Sequence, residues 1–401
     1  MALDVGRIRS DFPALRAGLA HFDAPGGTQV PTPVIGAIGN ALRQPLSNRG
    51  TDNPAQRNAE AIVLEARRAV ADLTGGSPQG VVFGRSATQL TFDFARTLSR
   101  RWAPGDEVVV TRLDHDANIR PWLLEAKARG LTVRWVDFDP RTGELEAERI
   151  TAAISDRTRL VALTAASNLL GTMPAVPAVA AAAHAVDALV WVDGVHYTAH
   201  ALVDVASLGC DVFVCSPYKF FGPHHGVLVA DPGLLADLRP DKLLPSSDAV
   251  PERFELGTLP YEMLTATTAA IDYLAGLAGT DGGRRERLAV SLRAAEEHER
   301  RLARRIEEAL DGLGATRYSR AARRTSTLLF DLPGVDAAQV AARLADVGVL
   351  APAGHFYALE ASRHLGLGDR GALRVGLAPY NDDHDVDRLL AGLEGRRRPS
   401  G

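Results

Sequence analysis

The sequence predicts a mainly parallel α/β sheet with helices on both faces, followed by a smaller α+β unit. Three observations carry that reading. From about residue 80 to residue 230, short β-branched runs alternate with helical patterns. The runs are apolar almost throughout, as strands covered on both faces should be. After about residue 285 they give way to one long charged helical stretch and then to short mixed elements.

Seven strands are expected in order: "VVF" (81–83), "EVVVT" (107–111), "TVRWVDF" (132–138), "RLVALT" (159–164), "LVWVD" (189–193), "VFVC" (212–215) and "GVLVA" (226–230). Helical patterns such as "ATQLTFDFARTLSRR", "PWLLEAKARG" and "AVAAAAHAVDA" fall between them. Too little chain separates the last two strands for a helical crossover, so "GVLVA" is expected to run antiparallel. Beyond it, "RRERLAVSLRAAEEHERRLARRIEEAL" reads as a long amphipathic helix suited to joining two units. "TSTLLFDL", "AAQVAARLADVGVL" and "ALRVGLA" then supply a small α+β unit. The expected division is a large unit over 16–285 and a small one made of 1–15 with 286–401.

With 401 residues, 46% of them hydrophobic, the chain can bury a large core. A net charge of -4 and a pI near 6.3 give no footprint for nucleic acid or an anionic membrane. The run Arg396–Arg398 sits in a Pro/Gly/Ser tail and reads as solvated charge. The N-terminal stretch carries acids and no apolar segment, unlike a signal peptide. The longest apolar stretch is broken by Pro177, His184 and Asp187, so no membrane span is expected and a cytoplasmic location is. Cys210 and Cys215 are too close in a strand context to form a disulfide framework. His184 and His200 read as structural, and the neighbours His224 and His225 make a poor metal pair, so no metal is expected.

The stretch "CSPYKFFGP" sets Lys219 just after a buried strand, where an ammonium is costly unless it is paired or neutralised. In open α/β sheets, ligands bind beyond the carboxyl ends of the strands. Several capable groups fall at such ends: Asp193 closing "LVWVD", Asn168 after "RLVALT", and His115 after "EVVVT". The turn "GRSATQ" (84–89) opens a helix whose N-terminus suits a phosphate. An amine, a carboxylate, an imidazole, an amide and an anion site together fit one ligand, pyridoxal 5'-phosphate.

The order and spacing of "HFDAPGGTQVP", "SNRG", "GRSATQ", "DHDANIRPW", "SNLLGT", "WVDGVHYTAH", "CSPYKFFGPHHG", "RFELGT" and "ALRVGLAPYND" resemble the class V aminotransferase superfamily, in particular its cysteine desulfurases. The resemblance covers nearly the whole chain. It implies the pyridoxal-phosphate-dependent fold type I, with a seven-stranded-type sheet, a homodimer with shared active sites, and an amino-acid substrate. It also implies Lys219 as the Schiff-base lysine, Asp193 as partner of the pyridine nitrogen, and His115 stacked on the ring. Asn168 would contact the ring oxygen or the substrate. His196 stands where desulfurases have a glutamine facing the phenolate oxygen. Ala87, Thr88 and Ser216 match phosphate positions, with Thr258 reaching the phosphate of the neighbouring subunit. Arg374 matches the arginine that grips the substrate carboxylate, Gly26 and Gly27 the backbone that closes over it, and Arg49 lines the entrance.

One departure bears on function. Desulfurases carry a cysteine on a C-terminal loop that takes the substrate sulfur, whereas this chain reads "AGHFYALEA" with Tyr357 there. A phenol does not carry a persulfide. Tyr357 is either a substrate-shaping residue or a plain replacement. The histidine of the usual Ser-x-His-Lys is likewise replaced by Tyr218. The expected activity is a desulfurase-like C–S (β-)lyase working without an enzyme persulfide. The alternatives are a class V aminotransferase or epimerase on a specialised amino acid, and a catalytically silent PLP-binding protein.

Overall fold

A computed structural model describes residues 3–279 and 281–395, so the arginine run at 396–398 lies outside the described residues. Its central sheet has seven strands in the order 81–84, 226–230, 212–215, 189–193, 158–164, 107–111, 132–136. Gly226–Ala230 runs antiparallel to both neighbours, and the other pairings are parallel. The short link 216–225 leaves no room for a helical crossover, which forces this reversal.

Both faces of the sheet are buried. Phe83, Val109, Val161 and Val190 belong to one apolar cluster, and Val82, Val108, Leu160 and Trp191 to the other. Successive residues thus face opposite cores, which is why the strands read as continuous apolar runs. The strand expected over 132–138 stops at Val136. It is an edge strand whose neighbour ends at Thr111, opposite Val136, so Asp137 and Phe138 have no strand to pair with.

Three helices absent from the sequence reading flank the large unit: Thr32–Arg43, Pro54–Thr74 and Tyr261–Ala275. The last packs on the other two and on the long helix Arg284–Gly312. Asn53 caps Pro54–Thr74 by accepting from the Gln56 N–H at 3.0 Å, and Gly75, at φ 69°, ends that helix. The long helix spans both cores: Leu288 and Leu292 join the large one, Leu302, Ile306 and Leu310 the small one.

The C-terminal sheet has four antiparallel strands in the order 353–354, 372–376, 327–331, 316–317. "AAQVAARLADVGVL" resolves into a helix, Ala337–Asp346, and a short strand, Val349–Leu350. That strand pairs in parallel with Ala20–His21, and Ala20 and Phe22 sit in the small core. The N-terminal segment just past residue 16 is therefore fastened to the C-terminal unit, which carries the following residues, Asp23 to Gly27, to the mouth of a cavity. No helix among the described residues is long and apolar enough to cross a membrane.

Candidate active site

The carboxyl ends of adjacent strands build the site. Thr164 and Asp193 are paired at the ends of their strands, and the turn Pro217–Lys219 follows Val212–Cys215 after Ser216. They border a cavity of about 660 Å³. Of the residues singled out in the sequence, Gly26, Ala87, Thr88, His115, Asn168, Asp193, His196, Ser216, Lys219, Tyr357 and Arg374 all line it. Gly27, Arg49 and Thr258 do not. Gly27 borders a second cavity beside Tyr218. Arg49 is held in a fork by Glu60, at 2.8 and 3.0 Å, and by Glu252 at 3.0 Å. Thr258 is exposed, next to Gly257 at φ 84°.

Lys219 is buried, and its Nζ donates to the backbone carbonyls of Pro25 and Gly26, the latter at 3.2 Å. Nζ also lies 4.8 Å from the centre of the Tyr218 ring. Burial, aided by the Arg374 charge and opposed by Asp23 and Asp193, lowers its pKa to about 7. A lysine so placed is partly neutral near neutrality, the state in which an amine is a nucleophile and a base. Burial pushes the Asp193 carboxyl up to about 6, against the Val195 N–H it accepts at 2.9 Å and the Lys219 charge. The same cause takes His115 down to about 4. Its Nδ1 accepts from the Ala117 N–H at 3.0 Å, which fixes the ring plane against Tyr357.

Arg374 crosses from the small sheet into the cavity wall. One terminal nitrogen donates to Asp23 and the other to the Asn168 carbonyl at 3.1 Å, while its Cζ lies 3.6 Å from the Phe356 ring centre. Its Nε and the Asn168 Oδ1 are buried without a partner among the described residues. The helix Ala87–Ser99 begins at the far wall, capped by Ser86 Oγ, which accepts from Gln89 N–H at 3.0 Å. The N–H groups of Ala87 and Thr88 have no helical carbonyl to bond and form a ready anion site. Gly226 lets its strand approach this turn, since a Cβ there would sit 2.2 Å from the Ser86 carbonyl carbon.

These features fit pyridoxal phosphate. A partly neutral buried amine, a buried carboxylate with a free oxygen, orphaned polar atoms at Asn168 and Arg374, and a helix N-terminus surround one cavity. No group of three or more candidate metal ligands occurs among the described residues.

Sequence reasoning passed over Asp23 and Phe356. Both contact the Arg374 guanidinium, one through its carboxylate and one through its ring. The signal for Asp23 lay within "HFDAPGG", three residues before Gly26, where only the glycines were weighed. Phe356 adjoins Tyr357, and nothing in "AGHFYALEA" sets its ring against Arg374.

The sequence profile of aminotransferase class-V matches residues 20–389. The chain belongs to the class-V aminotransferase family. A protein of Mycobacterium tuberculosis without an assigned function is 36% identical over 98% of this chain and 99% of its own. A probable cysteine desulfurase of Pseudomonas aeruginosa is 32% identical over 96% of each. The apo cysteine desulfurase of Thermococcus onnurineus superposes with a TM-score of 0.89 at 26% identity, covering 98% of each chain. The fold is thus that of the pyridoxal-phosphate-dependent fold type I. Class-V enzymes depend on pyridoxal phosphate, and this chain is an enzyme of that kind.

Proposed function

We propose that this chain binds pyridoxal phosphate at Lys219 and acts on an amino acid as a desulfurase-like C–S (β-)lyase without an enzyme persulfide. The observation that carries this reading is the pairing of a buried, partly neutral Lys219 with two shielded thiols. Cys215 is fully buried in its strand, and burial pushes both Cys210 and Cys215 up to about 12. A thiol at that pKa is not the thiolate that accepts sulfur.

The cofactor would be held by Lys219, by Asp193 at its ring nitrogen, by His115 on its face, and by the Ala87–Thr88 turn with Ser216 at its phosphate. Bound there, it supplies an electron sink for a carbanion at the substrate α-carbon. Arg374, with the Gly26 and Gly27 backbone, orients the substrate carboxylate as a planar fork. Lys219 Nζ takes the α-proton, and the β-sulfur leaves with the C–S electron pair as sulfide. Phe356 and Tyr357 cover the cavity mouth and restrict water. Thr258 acts, in this reading, from one protomer of a homodimer at the phosphate of the other, and Arg49 lines the entrance. The division near residue 285 separates the unit carrying Lys219 from the one carrying Arg374.

An amino-acid panel assayed for sulfide, pyruvate, ammonia and keto acids tests the reading. Sulfide with pyruvate from a sulfur amino acid supports the lyase. A keto acid without sulfide identifies an aminotransferase instead, inversion of the α-carbon an epimerase, and no product from any member of the panel a silent binder.

A further inference from the structure

His196 lines the cavity, but its Nε2 turns toward the small unit. It lies 3.1 Å from the Thr325 hydroxyl and 3.0 Å from the Thr327 hydroxyl, and the two hydroxyls are 3.1 Å apart. All three side chains are buried. Among the described residues, these hydroxyls have no side-chain or backbone acceptor outside the triangle.

Counting protons decides the tautomer. Each hydroxyl has one proton to donate, and a neutral imidazole nitrogen either carries one or accepts one. If Nε2 carried the proton, it would donate to one threonine, that threonine to the other, and the last hydroxyl would face an N–H. A buried donor would then be left without an acceptor, which folded proteins avoid. If Nε2 is bare, Thr325 donates to Thr327 and Thr327 to Nε2, and every proton is placed. Burial, with His200, Lys219 and Arg374 nearby, holds the imidazole well below its usual pKa, so the ring is neutral. The ring proton therefore belongs on Nδ1. Among the described residues that nitrogen has no hydrogen-bond partner, and it is not sealed from the cavity that the residue lines.

We propose that Thr325 and Thr327 are positioning residues that lock His196 as the neutral Nδ1–H form, making Nδ1 a fixed hydrogen-bond donor to an anionic oxygen of the ligand in the cavity. The tautomer follows from the protein alone. The identity of the oxygen, a phenolate of an aromatic ring, rests on the function proposed above. Both threonines come from the small unit, and their segment is tied to the large one. Thr325 N–H donates to the Gly171 carbonyl at 3.0 Å, and Thr172 bridges Arg324. Gly171, at φ 76°, brings its Cα so near that a Cβ would sit 2.8 Å from Thr325 Oγ1. The donor in one unit is thus set only when the other is seated on it.

The groups around the ring are His200, whose ring centre is 4.6 Å away and whose Nδ1 bonds Glu299 at 2.9 Å, together with Lys219, Arg374 and Asp193. The test uses the full chain labelled with ¹⁵N-histidine and freed of cofactor, with His196→Gln to identify the His196 signals. An unprotonated Nε2 and a protonated Nδ1 are expected, with the two tautomers mixing in the Thr325→Val/Thr327→Val variant. A protonated Nε2 in the wild-type chain overturns the lock. In a second arm, the chain loaded with pyridoxal phosphate is titrated by its visible absorbance. Removing the donor with His196→Phe is expected to raise the midpoint by about one pH unit, the scale of one hydrogen bond to a charged oxygen, and the double-valine variant, whose mixed imidazole still donates in part, by less. His196→Gln should stay near wild type, because an amide satisfies the threonines and still donates. A midpoint unmoved by His196→Phe overturns the donor role. Failure of the cofactor reading shows separately, as no visible band in any variant.

Discussion

The rings of His115 and Tyr357 stack with centroids 5.5 Å apart and 27° between their planes. The contact joins a loop of the small unit to the opposite lining of the cavity, and two hydrogen bonds to the loop's carbonyls reinforce it. Asp116 N–H donates to the Tyr357 carbonyl at 2.7 Å, and Asn168 Nδ2 to the Phe356 carbonyl at 2.9 Å. Phe356 and Tyr357 adopt φ of 50° and 60°, a conformation that side chains other than glycine resist. Such strain persists where the surroundings over-determine it, and it gathers at functional sites.

Tyr357→Gly separates the two effects. Relief of the left-handed backbone gains about 1 kcal/mol, while loss of the stack and the freedom of glycine in the unfolded chain cost about as much. Global stability is expected to stay within about 1 kcal/mol of wild type by denaturant unfolding. The KM for the substrate should rise several-fold because the cavity mouth opens. A wild-type KM would reduce the tyrosine to a plain replacement.

The pair Asp23–Arg374 makes the opposite kind of prediction. The Asp23 carboxylate occupies one arm of the guanidinium that a substrate carboxylate needs. Its side chain is 41% exposed, so solvent screens much of the attraction, and Asp23→Asn should destabilise by only about 1 kcal/mol. The freed arm should lower KM for carboxylated substrates, whereas Arg374→Ala should raise it. Parallel changes in both variants would show that the substrate is anchored elsewhere.

Much of this site was legible because sheet topology and chemistry coincide. The apolar runs gave the strands, and residues just past their ends, such as Asp193, Asn168 and Lys219, had to meet where parallel strands finish. Long-range partners were not legible. Asp23 and Arg374 are 351 positions apart, and nothing in the spacing of "HFDAPGG" and "ALRVGLA" says they touch. The Thr325–Thr327 pair was hidden for the same reason, since its strand was read only as part of a small unit. The helix Tyr261–Ala275 gives little periodic signal because its apolar residues spread around it, whereas Thr32–Arg43 and Pro54–Thr74 do carry an amphipathic pattern.

Lys219 couples the site to stability. Its folded pKa, about 7, lies below the model-peptide value of 10.5 because burial disfavours the charge. Between those values the unfolded chain binds the extra proton, so stability of the cofactor-free chain should rise as pH increases from about 7 toward 10.5. The gain is bounded at a few kcal/mol, at about 1.4 kcal/mol per pKa unit. Lys219→Met should remove it and leave the midpoint of urea unfolding flatter over that range. A wild-type slope in the methionine variant would place the titrating group elsewhere.

The two thiols make the last prediction. Cys215 packs in the large core with no exposure, and Cys210 lies half-buried with Sγ 3.8 Å from the Val205 carbonyl. Burial pushes each up to about 12, so the thiolate fraction near neutrality is far too small for nucleophilic attack on sulfur. Position 357 holds tyrosine, and under the proposed function neither of the two cysteines takes sulfur. The variant Cys210→Ala/Cys215→Ala should therefore keep most of its activity. It should lose about 1 kcal/mol of stability, mainly from the space left at Cys215. Mass spectrometry of the wild-type chain after turnover of cysteine should show no persulfide on either residue. Sulfur on Cys215, with activity lost in the Cys215→Ala chain, would make this a desulfurase whose thiol has moved to the strand beside Lys219.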